Sequence, residues 1–191
     1  MTYFGFLFIF LIIPIAILLG VAWRDKQQGR ETAVSLQNFP VWAAIGLHVL
    51  IALLYTTPWD NYLVATSVWW YDPELVTGIT IGWVPIEEYT FFILQPILAG
   101  LWINVLIRRL TDRAPRPAFN VRLWSVVSLA VVWVITAVIL ITNWQPGTYL
   151  ALELVWALPP IMLQLGFGAD ILWQYRRVVF LTIVPLTLYL S

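Results

Sequence analysis

Six apolar stretches, separated by polar breaks, make up most of the 191-residue chain. They run Tyr3–Ala22, Val41–Thr57, Pro85–Ile107, Leu123–Thr142, Thr148–Phe167 and Val178–Ser191. A helix needs about 20 apolar residues to cross the hydrocarbon of a bilayer. The pattern therefore predicts an all-α integral membrane bundle of about six transmembrane helices, the last of them short. The first stretch opens Met1-Thr2-Tyr3, with no basic leader and no small-x-small cleavage site before Arg24, so it reads as a retained helix rather than a signal peptide. The widest break, Thr56 to Val84, is polar and aromatic.

Charge orders these spans. Arg24, Lys26 and Arg30 follow the first, Arg108, Arg109, Arg113, Arg116 and Arg122 follow the third, and Arg176 and Arg177 follow the fifth. Alternating spans put all ten basic residues on one face, which the positive-inside rule makes cytoplasmic. Asp60, Asp72 and Glu74 fall on the opposite face. The expected setting is a multi-pass protein of the plasma (inner) membrane with lipid as its constant partner.

An internal repeat is also visible. Tyr3, Pro14 and Gly20 match Tyr149, Pro160 and Gly166 at one constant offset, and Leu54-Tyr55-Thr56-Thr57 matches Leu188-Tyr189-Leu190-Ser191 further on. This predicts a tandem three-helix repeat, with residues 1–110 as the first unit and 111–191 as the start of a second. The second unit is expected to be incomplete, with a further span beyond Ser191.

Composition narrows the chemistry. The chain is 61% hydrophobic and 10% charged, too little charge to cover a soluble domain. Its formal net charge of zero offers no footprint for nucleic acid. The absence of Cys excludes thiol nucleophiles and thiolate metal sites, and one His with no acidic cluster gives no metal-ligand spacing. No glycine fingerprint for a nucleotide appears, so no cofactor is expected.

The carboxylates of Pro85-Ile86-Glu87-Glu88-Tyr89-Thr90-Phe91-Phe92-Ile93-Leu94-Gln95-Pro96 are the most informative candidates. Pro85 suits the first helical position, and Glu87 and Glu88 the first turn, where the helix dipole favours negative charge. A plain helix start at an interface is one reading. The other is chemical: adjacent carboxylates at a membrane boundary repel and lose hydration, so one holds a proton near neutrality and serves as a general acid. Glu88 shares a helical stripe with Phe91, Phe92 and Gln95. Acid beside aromatic faces suits protonation of an alkene in an apolar polyene, with the rings stabilising the cation and water excluded.

Trp59 and Tyr62, with the run Trp69-Trp70-Tyr71, lie on the same outer side, as an interfacial belt or as the lid or wall of a cavity in which Asp60 assists the glutamates. Glu153 falls within a span and stacks with Trp156, either as a helix-packing hydrogen bond or as part of the site. His48 reads mainly as a packing residue, and Asn104 and Gln164 as links between helices. Pro14, Pro96, Pro160 and Pro185 imply kinks.

Thr57-Pro58-Trp59-Asp60-Asn61-Tyr62, Gly78-Ile79-Thr80-Ile81-Gly82 and Val84-Pro85-Ile86-Glu87-Glu88-Tyr89-Thr90-Phe91-Phe92 together resemble the small integral-membrane lycopene cyclases. The family comprises bacterial two-subunit enzymes, fused archaeal forms and the cyclase part of fungal bifunctional enzymes. The resemblance implies cofactor-independent cyclisation of the linear ends of lycopene to β-ionone rings, an isomerisation. It also implies that two three-helix units make an active cyclase. Glu87 and Glu88 carry over as the acidic pair, framed by Pro85, Phe91 and Phe92, and Asp60 carries over less directly. Expected catalytic residues are thus Glu87, Glu88 and Asp60. Expected substrate contacts are Trp59, Trp69, Trp70, Trp83, Phe91, Phe92, Gln95, Glu153 and Trp156. A homo-oligomer or companion cyclase subunit is the expected protein partner. Two alternatives stand beside this: cyclisation of another carotenoid, with ε rings or a longer chain, and a non-catalytic membrane subunit that binds carotenoid.

Overall fold

A computed structural model describes residues 1–30, 40–109 and 116–190. Arg113 of the basic loop and Ser191 of the repeat lie outside these residues. Five helices are long and apolar enough to cross a membrane: α1 (Tyr3–Gln27), α2 (Val41–Ala65), α3 (Ile86–Ile107), α4 (Phe119–Ile141) and α5 (Gln145–Gln174). A sixth helix, α6 (Arg176–Leu190), has 15 residues. At ~1.5 Å per residue it extends about 22 Å, short of the ~30 Å hydrocarbon core. A single hairpin, β1 (Thr80–Ile81) and β2 (Val84–Pro85), accounts for the described strands. In α2 and α4, only 6% of the most apolar window is buried inside the protein. The exposed Leu54, Val134, Ile135 and Val138 on these helices are surfaces for lipid.

Helix α2 continues to Ala65, past the expected end at Thr57. Pro58-Trp59-Asp60-Asn61-Tyr62 is therefore helical rather than part of a loop. Polarity alone suggested a break there, but Pro58 falls at the first positions of a new α-segment, where its missing N–H costs nothing.

The described residues form two compact units, Met1–Arg113 with Phe180–Ser191, and Ala114–Val179. In the first, Leu7, Leu11 and Leu98 make the core, flanked by Phe6, Phe91, Leu94, Leu186 and Leu190. Gly100 of α3 lets α2 approach closely: a Cβ there would stand 2.5 Å from Ile45. The basic end of this unit is tied by Asp25, 2% exposed, which pairs with Arg109 at 3.0 Å and Arg30 at 3.2 Å. Asn104, expected to link helices, instead accepts from Arg108 Nε on its own helix at 3.3 Å. Arg108 makes the helix-to-helix bond itself, donating to the Ala22 carbonyl at 3.2 Å.

In the second unit α4 and α5 form an antiparallel pair. Asp170 near the end of α5 accepts the Ala118 N–H at 3.0 Å and pairs with Arg122 at 2.9 Å, so it caps the start of α4. Gln164 is exposed.

The prolines show how a helix in lipid handles a missing donor. Pro leaves the carbonyl four residues earlier without its partner and crowds it. Around Pro14 and Pro58 the preceding turn widens: Phe10 and Leu54, the residues four before, lie in π-helical segments Phe8–Ile12 and Ala52–Thr56. Two other carbonyls freed by proline receive an indole N–H. Trp133 donates to the Val155 carbonyl, freed by Pro159, at 3.0 Å. Trp102 donates to the Leu181 carbonyl, freed by Pro185, at 3.0 Å.

This predicts a coupled pair. Trp133→Phe should cost about 1–3 kcal/mol, the penalty for an unsatisfied acceptor. Pro159→Ala restores a main-chain donor, so Trp133→Phe should cost clearly less in that background. Thermal unfolding of the four proteins in detergent measures this, and an equal cost in both backgrounds would refute the pairing.

Candidate active site

The site is built where α2 ends, the hairpin turns and α3 begins. The hairpin register pairs Thr80 with Pro85 and Ile81 with Val84. Pro85 is thereby extended, with φ −69° and ψ 152°, and caps α3 rather than opening it. The helix starts one residue later than the motif suggested, because the strand pairing claims Pro85. Glu87 and Glu88 nevertheless occupy the first turn. Gly82 makes the hairpin turn with φ +67°, and a Cβ there would lie 2.2 Å from Asn61 Oδ1. Asn61 is the clamp. Its Oδ1 accepts the Trp83 N–H at 2.7 Å, and its Nδ2 donates to the Thr57 carbonyl at 2.9 Å and to Tyr89 Oη at 3.2 Å. Tyr89 in turn donates to the Ile81 carbonyl at 2.8 Å.

This clamp brings Asp60, Glu87 and Glu88 to one end of the unit. The two adjacent glutamates have different surroundings. Glu87 is 0% exposed, and its Oε1 accepts the Thr77 N–H at 2.6 Å, while its Oε2 is buried with no hydrogen-bond partner among the described residues. Glu88 is half-buried and accepts the hydroxyl of Tyr3. Asp60, 2% exposed, accepts the hydroxyl of Tyr71 at 3.0 Å. Burial, then the charges of Glu88 and Asp60, push the Tyr71 hydroxyl well above its ordinary range. It therefore remains a proton-bearing donor at every physiological pH.

Tyr3 and Tyr71 are the site residues that the sequence reading missed as carboxylate partners. Tyr71 was seen only as part of an aromatic run. For Tyr3 a signal existed: it opens a span that starts on the same side as α3, which puts its ring level with the glutamates. The loop from 66 to 79 hangs from the same groups, since Leu75 O accepts the Tyr3 N–H at 2.8 Å and Thr77 N–H reaches Glu87.

The expected aromatic wall divides. Phe91 packs against the leucine core alongside Tyr3, and Phe92 is buried with its ring 6.0 Å from that of Tyr89. Trp59 is half-buried, 5.5 Å from the Tyr62 ring. Trp70 and Trp83 are 80% and 65% exposed and do not enclose the acids. With Trp69, Tyr71, Val76 and Pro85 they line an open cleft of about 340 Å³, and none of the three carboxylates lines it. Gln95 is half-buried on α3. Glu153 and Trp156, also half-buried, sit on α5 in the second unit. His48 Nδ1 is 2.8 Å from the Ala44 carbonyl of its own helix. Among the described residues, no group of three His, Cys, Asp or Glu could hold a metal ion.

Three carboxyl groups gathered at the end of apolar spans, Asp60 and Glu88 each bonded to a phenol and Glu87 to a main-chain N–H, make up the candidate site of a multi-pass helical membrane protein. No family model matches the chain, and no solved structure matches it. Curated relatives do. The chain is 39% identical over 153 residues to the lycopene beta-cyclase of Halobacterium salinarum, an alignment covering 78% of this chain and 61% of that protein. It is 33% identical over 143 residues to the bifunctional lycopene cyclase/phytoene synthase of Aspergillus niger, covering 70% and 24%. The namesake protein of Podospora anserina is 32% identical over 124 residues, covering 60% and 21%. The chain belongs to the lycopene cyclase family. It spans about three fifths of the length of the Halobacterium protein.

Gly82→Ala should cost ~1–3 kcal/mol locally, since it forces a side chain into a left-handed conformation and onto Asn61. Amide exchange at Trp83 and Ile86, whose N–H groups bond to Asn61 and Ile79, should accelerate. Unchanged protection would show that the clamp does not hold the hairpin.

Proposed function

We propose that this chain is a carotenoid cyclase that converts linear ends of lycopene to β-ionone rings inside the membrane, with Glu88 as the acid. The observation that carries this reading is the Tyr3–Glu88 pair, which holds a carboxyl group at the dry end of α3 next to Glu87 and Asp60. The names of the relatives supply the substrate class.

The chemistry needs one proton in and one proton out. Glu88 protonates the terminal alkene and becomes a carboxylate, the tertiary cation closes onto the neighbouring double bond, and the ring-adjacent proton returns to that carboxylate, leaving product and acid neutral. The product is an isomer of the substrate, so no oxidant or reductant enters. Exclusion of water keeps the cation from being trapped as an alcohol. Phe91 and Phe92 offer their faces to the cation near the acid, and the cleft of Trp69, Trp70 and Trp83 receives the apolar chain. Glu87 anchors the loop through Thr77, and Asp60, held by Tyr71, assists the glutamates. Gln95, Trp59, Glu153 and Trp156 complete the proposed substrate contacts.

The same reading sets the membrane orientation. The acids lie at one end of α3 and Arg108 and Arg109 at the other, about 30 Å apart at ~1.5 Å per residue. With the basic end cytoplasmic, chemistry occurs near the outer boundary of the plasma membrane. The two units are a tandem repeat in this proposal. In support, each unit buries an aspartate near the end of a span against an arginine from another part of the same unit: Asp25 of α1 with Arg109, and Asp170 of α5 with Arg122 of α4. A companion cyclase subunit or a second copy of the chain is the protein partner in this proposal.

Expression in cells that accumulate lycopene tests the function. Glu88→Gln should lower cyclised product by ~10²- to 10⁴-fold, the usual worth of a general acid, with the protein still in the membrane. Wild-type yield from Glu88→Gln would remove Glu88 from the mechanism. A wild-type chain that leaves lycopene untouched would overturn the substrate, and chromatography of the products separates β from ε rings.

A further inference from the structure

We infer that Tyr3 is a positioning residue for Glu88, selecting which carboxyl oxygen carries the proton; this rests on the cyclase reading above. A glutamate in the first turn of a helix has freely rotating side-chain bonds, and without a partner its carboxyl group swings toward the polar headgroups. Tyr3 prevents this because it is itself held at three points. Its main-chain N–H donates to the Leu75 carbonyl at 2.8 Å. Its ring stacks on Phe6 with centroids 6.2 Å apart and 15° between planes, against the core of Leu7, Leu11 and Leu98. Its hydroxyl donates to Glu88 Oε2.

The donor on Oε2 has a chemical consequence. A carboxylic acid carries its proton on one oxygen, and an oxygen that already accepts a phenol hydrogen is the poorer seat for it. Oε1 becomes the proton-bearing atom, and its direction is set by a ring fixed in the core. A general acid contributes fully only when its proton lies within hydrogen-bond reach of the reacting atom, and a misplacement of ~1 Å costs about 10²-fold in rate. Asp60 repeats the device, with the hydroxyl of Tyr71 on Oδ2. Tyr71, however, belongs to the hanging loop, whereas Tyr3 belongs to a span, so Tyr3 gives the firmer reference.

Tyr3→Phe removes the hydroxyl and keeps the ring packing. In liposomes holding the full chain and lycopene, it should lower kcat by about 10²-fold with KM unchanged. A purely structural role would lower the amount of folded protein and leave kcat per folded molecule alone. Infrared spectroscopy gives a readout independent of turnover. The carboxyl band identified by its loss in Glu88→Gln should shift in Tyr3→Phe, because its oxygen loses a donor. A wild-type kcat in Tyr3→Phe, with or without a band shift, overturns the positioning role. An unmoved band with reduced kcat also overturns it, since Tyr3 would then act elsewhere. If the wild-type chain itself fails to cyclise lycopene, the cyclase reading falls and this inference falls with it.

Discussion

Inside a bilayer there is no water to accept or donate a hydrogen bond, so each polar group must find its partner in the protein. That constraint accounts for the long-range polar contacts in this chain. Carbonyls freed by Pro159 and Pro185 are met by indole N–H groups of Trp133 and Trp102. Buried Asp25 and Asp170 are met by arginines. Asp60 and Glu88 are met by phenols rather than by cations. An arginine partner brings a full positive charge to a carboxylate, as Arg122 does to Asp170, whereas a phenol brings one hydrogen bond and no charge.

The same constraint separates two glutamates that are neighbours in the chain. Successive residues on a helix point about 100° apart, so the first turn of α3 directs Glu87 toward the hanging loop and Glu88 toward α1. Glu87 is closed off by Thr77 and the hairpin. Glu88 meets only Tyr3 among the hydrogen-bond donors described. A pair that looks symmetrical as a motif thus meets two different partners, a loop N–H and a phenol. The hairpin is what makes the arrangement possible: Gly82 and Asn61 pull the end of α2 against the start of α3, so that Asp60 joins the glutamates.

On the proposed function, carboxyls at the end of the spans suit an apolar substrate, since a polyene dissolved in the hydrocarbon would bring its end to that boundary. Aromatic side chains divide there into two groups. Phe91 and Phe92 are packed near the acid, and Trp70 and Trp83 are open to the interface. On the proposed function, only the first group is placed to serve the cation, and the second would form a rim for the apolar chain.

Much of this was legible from the residues alone. Runs of about 20 apolar residues leave no alternative to membrane helices, and the sorting of Lys and Arg ordered the ends of the spans. The Pro-x-Glu-Glu and Pro-Trp-Asp-Asn blocks marked the carboxylates that the fold gathers, because such groups are costly in these surroundings and stand out against apolar sequence. Partnership was not legible. Tyr3 and Glu88 are 85 residues apart, and a tyrosine at a span start looks the same whether it faces lipid or a carboxyl group. Nor did the motif show that α2 runs on to Ala65 or that Pro85 belongs to a strand, since both follow from the hairpin closing on Asn61. Sequence determined which groups must be satisfied; only packing in three dimensions decided by whom, because a hydrogen bond depends on distance and direction, which hydropathy does not record.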